Sequence, residues 1–485
     1  MYFAHSTDLE SSLAPVTTGS RPPIRPGRNF WAGTRETLGL ALPLMAAQVS
    51  VVGMGLVDTA TFGVIGTAAL AGGGLGAIVL TFFSIIAIGI LAATSIQVAY
   101  ASAADRGTIP GIVAAGFVVA LAVGLLLWAM VANTGPALLR LGQDPGTVAD
   151  AGKYLSFAAP AILPNLIFTV LRGLAVGLGR SRPVGVITVA SLLAKGLLNV
   201  AILVGLHLAG PGDHAAAGLA LAGAADTLTY ALMALMLWVY CRRHLGGYLS
   251  RPRLPTLRSA ALAEALWLGL PIGFTLGVEA GLFDGVGLIV GRFGPLALAA
   301  NAIALQCISL TFMLANGLSQ AATVRVGRSA GAGDLAEARR VGRQALVIGL
   351  GIMSGSAAIF GLFGREVATL LAGNGTASPI VVALATRLLL VACFFQWFDG
   401  TQNIAIGCLR GLKETRLPVI AALFGYWVIG LPAAWLLSTT TSLGPAGAWW
   451  GMGIGLATAA TMLVLRFETA TAGDPAPLYQ DRPTR

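Results

Sequence analysis

The chain has 485 residues, of which 56% are hydrophobic and 10% charged, with 64 glycines and a formal net charge of +10. So few charges exclude an ordinary water-soluble domain, in which about a quarter of residues are charged. The positive charge does not imply nucleic acid, because the arginines fall in short loops between apolar stretches instead of on one polar unit.

Residues 1–37 are polar, contain Pro15, Pro22, Pro23 and Pro26, and lack the apolar core of a secretory signal, which predicts a disordered cytoplasmic tail. Twelve apolar segments follow, near 38–65, 72–100, 109–133, 153–173, 183–208, 216–240, 260–291, 296–325, 342–371, 377–404, 414–438 and 446–466. No charge occurs between Asp58 and Asp105, Arg106 and Arg140, Arg292 and Arg325, or Arg416 and Arg466. Each gap fits one or two spans, since a bilayer core of about 30 Å is crossed at about 1.5 Å per residue. The predicted fold is an all-α polytopic membrane protein with twelve transmembrane helices in two six-helix lobes. The expected units are the tail 1–37, a lobe over 38–245, a cytoplasmic linker over 246–259, a second lobe over 260–466 and a closing cytoplasmic tail over 467–485.

Pro43, Pro160, Pro164, Pro271 and Pro432 lie inside these segments and predict kinks, which membrane helices tolerate because neighbours satisfy the freed backbone groups. GxxxG strings such as Gly351 to Gly355 predict helix packing. Cys241, Cys307, Cys393 and Cys408 form no CxxC pair and read as small core hydrophobes. His5, His207, His214 and His244 lie in the tail or near loops, so no metal site is expected inside the bundle. The three lysines, Lys153, Lys195 and Lys413, follow no phosphate-binding glycine pattern, which excludes a P-loop pump within this chain.

With the N-terminus in the cytoplasm, nearly all loop arginines fall on one side and only Arg140, Lys153, Arg292 and Arg365 on the other. The positive-inside rule then places both termini in the cytoplasm of a plasma-membrane protein. The chain also repeats itself. Leu42-Pro43-Leu44 aligns with Leu270-Pro271-Ile272 at an offset of 228, and Gly63, Gly66, Ala69-Leu70-Ala71 and Val98 meet Gly291, Gly294, Ala297-Leu298-Ala299 and Val326 in the same register. A second echo pairs LRGL at Leu171 with LRGL at Leu409, an offset of 238. Six helices per half make the repeats parallel, related by a pseudo-two-fold axis along the membrane normal.

Asp58, Asp226, Glu279, Asp284 and Asp399 fall within apolar segments. An ionised Asp at a span centre costs roughly 3 kcal/mol on insertion scales, so each needs a partner, a cation or a wet cavity and is a candidate for ion or substrate handling. Burial favours the neutral acid and a nearby cation favours the carboxylate, so such groups suit exchange of protons, metal ions and organic cations. Gln402 and Asn403 follow Asp399, while Asn199 is placed to give a carbonyl oxygen to a cation or to hydrogen-bond Asp58. Asp226, flanked by Thr227 and Thr229, would complete a first-half polar cluster. Asp284, five residues after Glu279, points about 140° away and need not share its site. Phe394 and Phe395 are candidates to line a pocket for aromatic cations. Lys195 and Arg387 are the interior cations that would pair with acids if these were structural.

Five strings resemble the multidrug and toxic compound extrusion (MATE) family, and its NorM-like branch in particular. They are VDTATFGVIGTAALA at 57–71, GLPIGFTLGVEAGLF at 269–283, ALAANAIALQ at 297–306, ATVRVGRSAGAGD at 322–334 and CLRGLKETRLP at 408–418. The resemblance covers about 38–466 and implies two lobes around a V-shaped cavity, alternating access, and export of cationic organic compounds in exchange for Na⁺ or H⁺. It places the family's cation-binding residues at Asp58, Asn199, Glu279 and Asp399, with any Na⁺ held at Glu279 and Asp399. Some NorM-like members carry a Tyr one turn before the tenth-span acid; here that residue is Phe395, and Asp226 and Asp284 lie outside the family pattern.

The expected function is therefore secondary active multidrug efflux, with a lipid-linked or dedicated-metabolite flippase of the same superfamily as the alternative. A flippase for pyrophosphate-linked lipids would want a basic cavity. A membrane-embedded transferase would need clustered acids or His at an interface, and the loops lack them. The expected partners are small organic cations or other xenobiotics and the lipid bilayer, around a monomer without enzymatic activity or cofactor.

Overall fold

The computed structural model describes residues 30–208, 215–249, 259–372 and 378–472. The N-terminal tail up to residue 29, most of the expected linker and the tail beyond 472 lie outside the described residues. Twelve helices among the described residues are long and apolar enough to cross a membrane. They are α1 (Phe30–Ile65), α2 (Thr67–Ala104), α3 (Ile109–Ala132), α4 (Pro145–Gly177), α5 (Arg182–Leu208), α6 (Ala215–His244), α7 (Ser259–Gly291), α8 (Pro295–Gly331), α9 (Leu335–Ala372), α10 (Ser378–Gly411), α11 (Arg416–Thr440) and α12 (Pro445–Ala472).

Helix α1 starts at Phe30, eight residues before the apolar stretch from which the sequence places it, and α12 runs to Ala472. A span read from hydropathy stops where charge appears, whereas a helix continues through the polar interface because its backbone bonds are internal. Pro160 sits in a 3₁₀ turn, Ala159–Ala161, that divides α4, and Pro432 lies just past a π-helical stretch, Leu423–Gly430, in α11. The break in α9 is at Phe363, between Gly361 and Gly364, with no proline involved.

The first six helices pack on one another through α1 with α5, α2 with α4, and α4 with α6; the last six do so around α10, which touches α8, α9 and α12. The halves meet where α1 crosses α8 and α2 crosses α7 and α8. Small residues let these backbones touch, as expected where lipid offers no hydrophobic drive. A methyl group placed on Gly89 would fall 2.6 Å from Gly273 Cα, and one on Gly317 would fall 2.6 Å from the Met45 nitrogen. Toward the arginine-rich loops the contact becomes polar. Arg325 of α8, 6% exposed, donates to the Gly33 carbonyl at 3.1 Å, to Thr37 Oγ1, to Gln344 Oε1 at 3.2 Å and to Glu36 at 3.4 Å. Arg328 donates to the Gly177 carbonyl of α4 at 3.1 Å. The string ATVRVGRSAGAGD thus carries a latch between the halves.

The close glycine contacts between the halves, at Gly89, Gly269, Gly273, Gly317 and Gly331, run from the middle of the bundle toward the basic face.

The 228 offset has a physical basis. Gly66 and Gly294 make the α1–α2 and α7–α8 turns at φ 147° and 100°, a backbone region that only glycine adopts without strain. The LRGL echo, in contrast, is not the structural match. Helices α4 and α10 end at Gly177 and Gly411, followed by equivalent turns with positive φ at Gly179 and Lys413, an offset of 234. Gly177 then packs on Val98 and Ala99 as Gly411 packs on Val326 and Gly327. The echo is displaced by four residues, about one helical turn. The Gly351–Gly355 string also differs from expectation, since both glycines are exposed and meet no atom within 4 Å.

Gly66→Ala and Gly294→Ala should each lower stability by about 1–3 kcal/mol, the cost of forcing a side chain into that region, with Gly63→Ala close to neutral. Thermal unfolding in detergent checks this. Arg325→Ala should loosen the arginine-rich end: in a background without native cysteines, maleimide labelling of Ala99→Cys, buried beside Gly327, is expected to rise several-fold. An unchanged rate would mean that Arg325 does not hold the halves together.

Candidate functional site: two buried acid clusters

The first-half cluster joins α1, α4, α5 and α6. Lys195 and Asn199 stand four residues apart, on one face of α5, turned toward Asp58 of α1. Lys195 Nζ lies 2.6 Å from Asp58 Oδ2 and also donates to Asp226 Oδ1 of α6. The Tyr154 hydroxyl donates to Asp226 Oδ2 at 2.7 Å. Asn199 Nδ2 donates to Asp58 Oδ1 at 3.4 Å and to Thr61 Oγ1 at 3.0 Å. Lys195 is 2% exposed, Asp226 2% and Asp58 6%. Asp226 therefore completes the cluster, but Thr227 and Thr229 do not, since their hydroxyls donate to the Phe157 and Ala225 carbonyls.

The second-half cluster joins α7, α10 and α11. Asp399 and Gln402 are three residues apart on α10, and Gln402 Nε2 donates to Glu279 Oε1 of α7 at 3.3 Å. All three are buried, as is Tyr426 in the π-helical stretch of α11. Such stretches shift the register of a helix locally and recur at functional sites. Asp399 and Tyr426 lie within electrostatic range of Glu279, and so does the basic Arg410 of α10. Asp399 Oδ1, Gln402 Oε1 and the Tyr426 hydroxyl have no hydrogen-bond partner within the protein, and neither has Asn199 Oδ1 of the first-half cluster. An unsatisfied buried oxygen is costly, and a proton or a cation would relieve the one on Asp399. Among the described residues no group of three His, Cys, Asp or Glu converges, so a bound ion would draw on Gln402 and Tyr426 as well as the two acids.

Other sequence candidates lie elsewhere. Asp284 is exposed on α7, away from Glu279. Phe394 is 53% exposed and packs on Trp450, about 140° around α10 from Asp399. Phe395 is buried against Trp449, with ring centroids 5.6 Å apart. Arg387 is exposed as well, so of the two expected interior cations only Lys195 is inside, and it is already engaged by two acids. Tyr154 and Tyr426 were missed because one hydroxyl in an apolar run gives no signal until a fold places an acid beside it.

The MatE family model matches residues 43–201 and 271–436, two segments that begin 228 residues apart. The chain belongs to this family. It is a multi-pass membrane transporter and not an enzyme. The chain is 40% identical over 448 residues to the "Probable multidrug resistance protein NorM" of Pseudomonas aeruginosa, covering 90% of each. It is 35% identical over 451 residues to the "Multidrug resistance protein NorM" of Burkholderia vietnamiensis, covering 90% of this chain and 94% of that one. The fold is similar to a solved structure described as the outward-facing conformation of a multidrug resistance MATE family transporter. That similarity has a TM-score of 0.83 at 18% identity and covers 91% of this chain and 96% of that one.

In this transporter Lys195→Met would leave Asp58 and Asp226 buried without their cation. It should cost about 3–5 kcal/mol of stability, and adding Asp226→Asn should recover part of that. Denaturation of the purified variants in detergent measures both.

Proposed function

We propose that this protein is a secondary active exporter that exchanges cationic organic compounds for Na⁺ or H⁺ by alternating access, set in the plasma membrane with both termini in the cytoplasm. The observation that carries this reading is the second-half cluster, where two buried acids meet oxygens that have no donor. Their negative charge suits a small cation or a proton, and an organic cation entering between the halves competes for the same charge. Loading with one then favours release of the other. The names of the NorM relatives support multidrug compounds as the cargo.

Exchange needs two states that bind ion and cargo differently. The contacts between the halves toward the arginine-rich face support one of them. By the positive-inside rule that face is cytoplasmic, so this state opens outward. The other state follows when the Arg325 latch releases and the far ends of α1, α2, α7 and α8 close. In the outward state the ion enters at Glu279 and Asp399 and the organic cation leaves; the inward state reverses this.

Uptake of a fluorescent organic cation into inverted membrane vesicles tests the reading under separately imposed Na⁺ and H⁺ gradients. The expected result is transport driven by one of the gradients and reduced at least about tenfold by Glu279→Gln or Asp399→Asn, a loss of about 1.4 kcal/mol. Wild-type transport indifferent to both gradients would rule out antiport.

A further inference from the structure

The two acid clusters differ in one countable respect. In the first half all four carboxylate oxygens have a donor: Lys195 serves Asp58 Oδ2 and Asp226 Oδ1, Tyr154 serves Asp226 Oδ2, and Asn199 serves Asp58 Oδ1. In the second half the carboxylate oxygen Asp399 Oδ1 has none, nor do Gln402 Oε1 and the Tyr426 hydroxyl, whereas in the first half the oxygen without a donor is the amide Asn199 Oδ1, which belongs to no acid. A metal cation brings no donor hydrogens and binds only through lone pairs that are free. It would also have to sit beside an ammonium of like charge in a site closed to water.

We propose that Lys195 is the resident cation of the first-half cluster, a tethered ammonium in the place a free cation would take, so that this half binds no alkali ion. Asp58 and Asp226 then hold α1, α5 and α6 together through Lys195, and ion binding is confined to Glu279 and Asp399. The inference rests on the antiport reading for its importance to transport, but its geometry does not depend on it.

The offset between the halves supports the asymmetry. Under the 228 register Asp58 corresponds to Val286, and under the 234 register Lys195 corresponds to Ile429, so neither has a counterpart in the second half. The clusters are separate constructions on a repeated scaffold, with different contents.

The test is equilibrium binding of ²²Na⁺ to the full-length protein purified in detergent, at a pH where carboxylates are ionised. The Asp58→Asn variant is expected to bind Na⁺ with the stoichiometry and affinity of the wild type. Lys195→Met combined with Asp226→Asn keeps the cluster's net charge and frees Asp58 Oδ2, beside the already unpartnered Asn199 Oδ1. It is expected to bind one equivalent more than the wild type, and adding Asp58→Asn should abolish the gain. Lys195→Arg combined with Asp226→Asn retains the tethered charge and should gain nothing; a gain with Met and none with Arg is the contrast that a merely structural role for Lys195 would not produce. Loss of wild-type Na⁺ binding in Asp58→Asn overturns the proposal even if the double variant fails to fold, and so does a folded double variant without the extra equivalent. Gradient-driven transport in vesicles separates the two readings: transport that responds to a gradient while the stoichiometry stays unchanged defeats the tethered cation alone.

Discussion

Charge inside a bundle set in lipid has to be matched within the protein, because no water is there to solvate it and an unmatched charge costs several kcal/mol. That constraint organises both halves of this transporter. In the first half it is met internally: an ammonium stands between two carboxylates, and a phenol and an amide take the remaining oxygens. The second half leaves part of the demand open: Gln402 donates to Glu279, Arg410 acts on it through charge, and Asp399 Oδ1 has no donor. A closed cluster fixes helices in place. An open one makes its own stability depend on what enters it, which supports the exchange proposed for this protein.

The same constraint shapes the contact between the halves. Where α1 meets α8 and α2 meets α7, glycines bring backbones together and no charge is involved; only at the arginine-rich end does a buried guanidinium appear, with four groups around it. Contacts of small residues can slide or separate without leaving a charge unpaired. The polar contacts of Arg325 and Arg328 tie the halves together at the arginine-rich end. The repeated scaffold, marked by Gly66 and Gly294 and by the paired ends of α4 and α10, supplies two similar halves on either side of them.

Much of the site was legible in the sequence for one reason: acids in apolar runs are conspicuous. Asp58, Asp226, Glu279 and Asp399 stand out on that basis, and the structure gathers them into two groups. Direction was less legible. Arg387 and Phe394 lie in the same span as Asp399 yet face outward, because position along a helix says nothing about which side meets its neighbours until those neighbours are placed. The LRGL echo misled for a similar reason, since four matching letters outweighed a difference of one helical turn that only the caps of α4 and α10 reveal.

The sequence by itself determined the twelve spans, the duplication, the family and the buried acids, because hydropathy, glycine at positive φ and charge in apolar runs are local properties that survive without coordinates. Only the tertiary structure decided who faces whom. It showed that Lys195 satisfies two acids at once, that Tyr426 lies buried in a π-helical stretch within electrostatic range of Glu279 and Asp399, and that the polar contacts of Arg325 and Arg328 join the halves at the arginine-rich end. Those facts depend on the relative rotation of packed helices, which the sum of many weak contacts sets and no single stretch of sequence encodes.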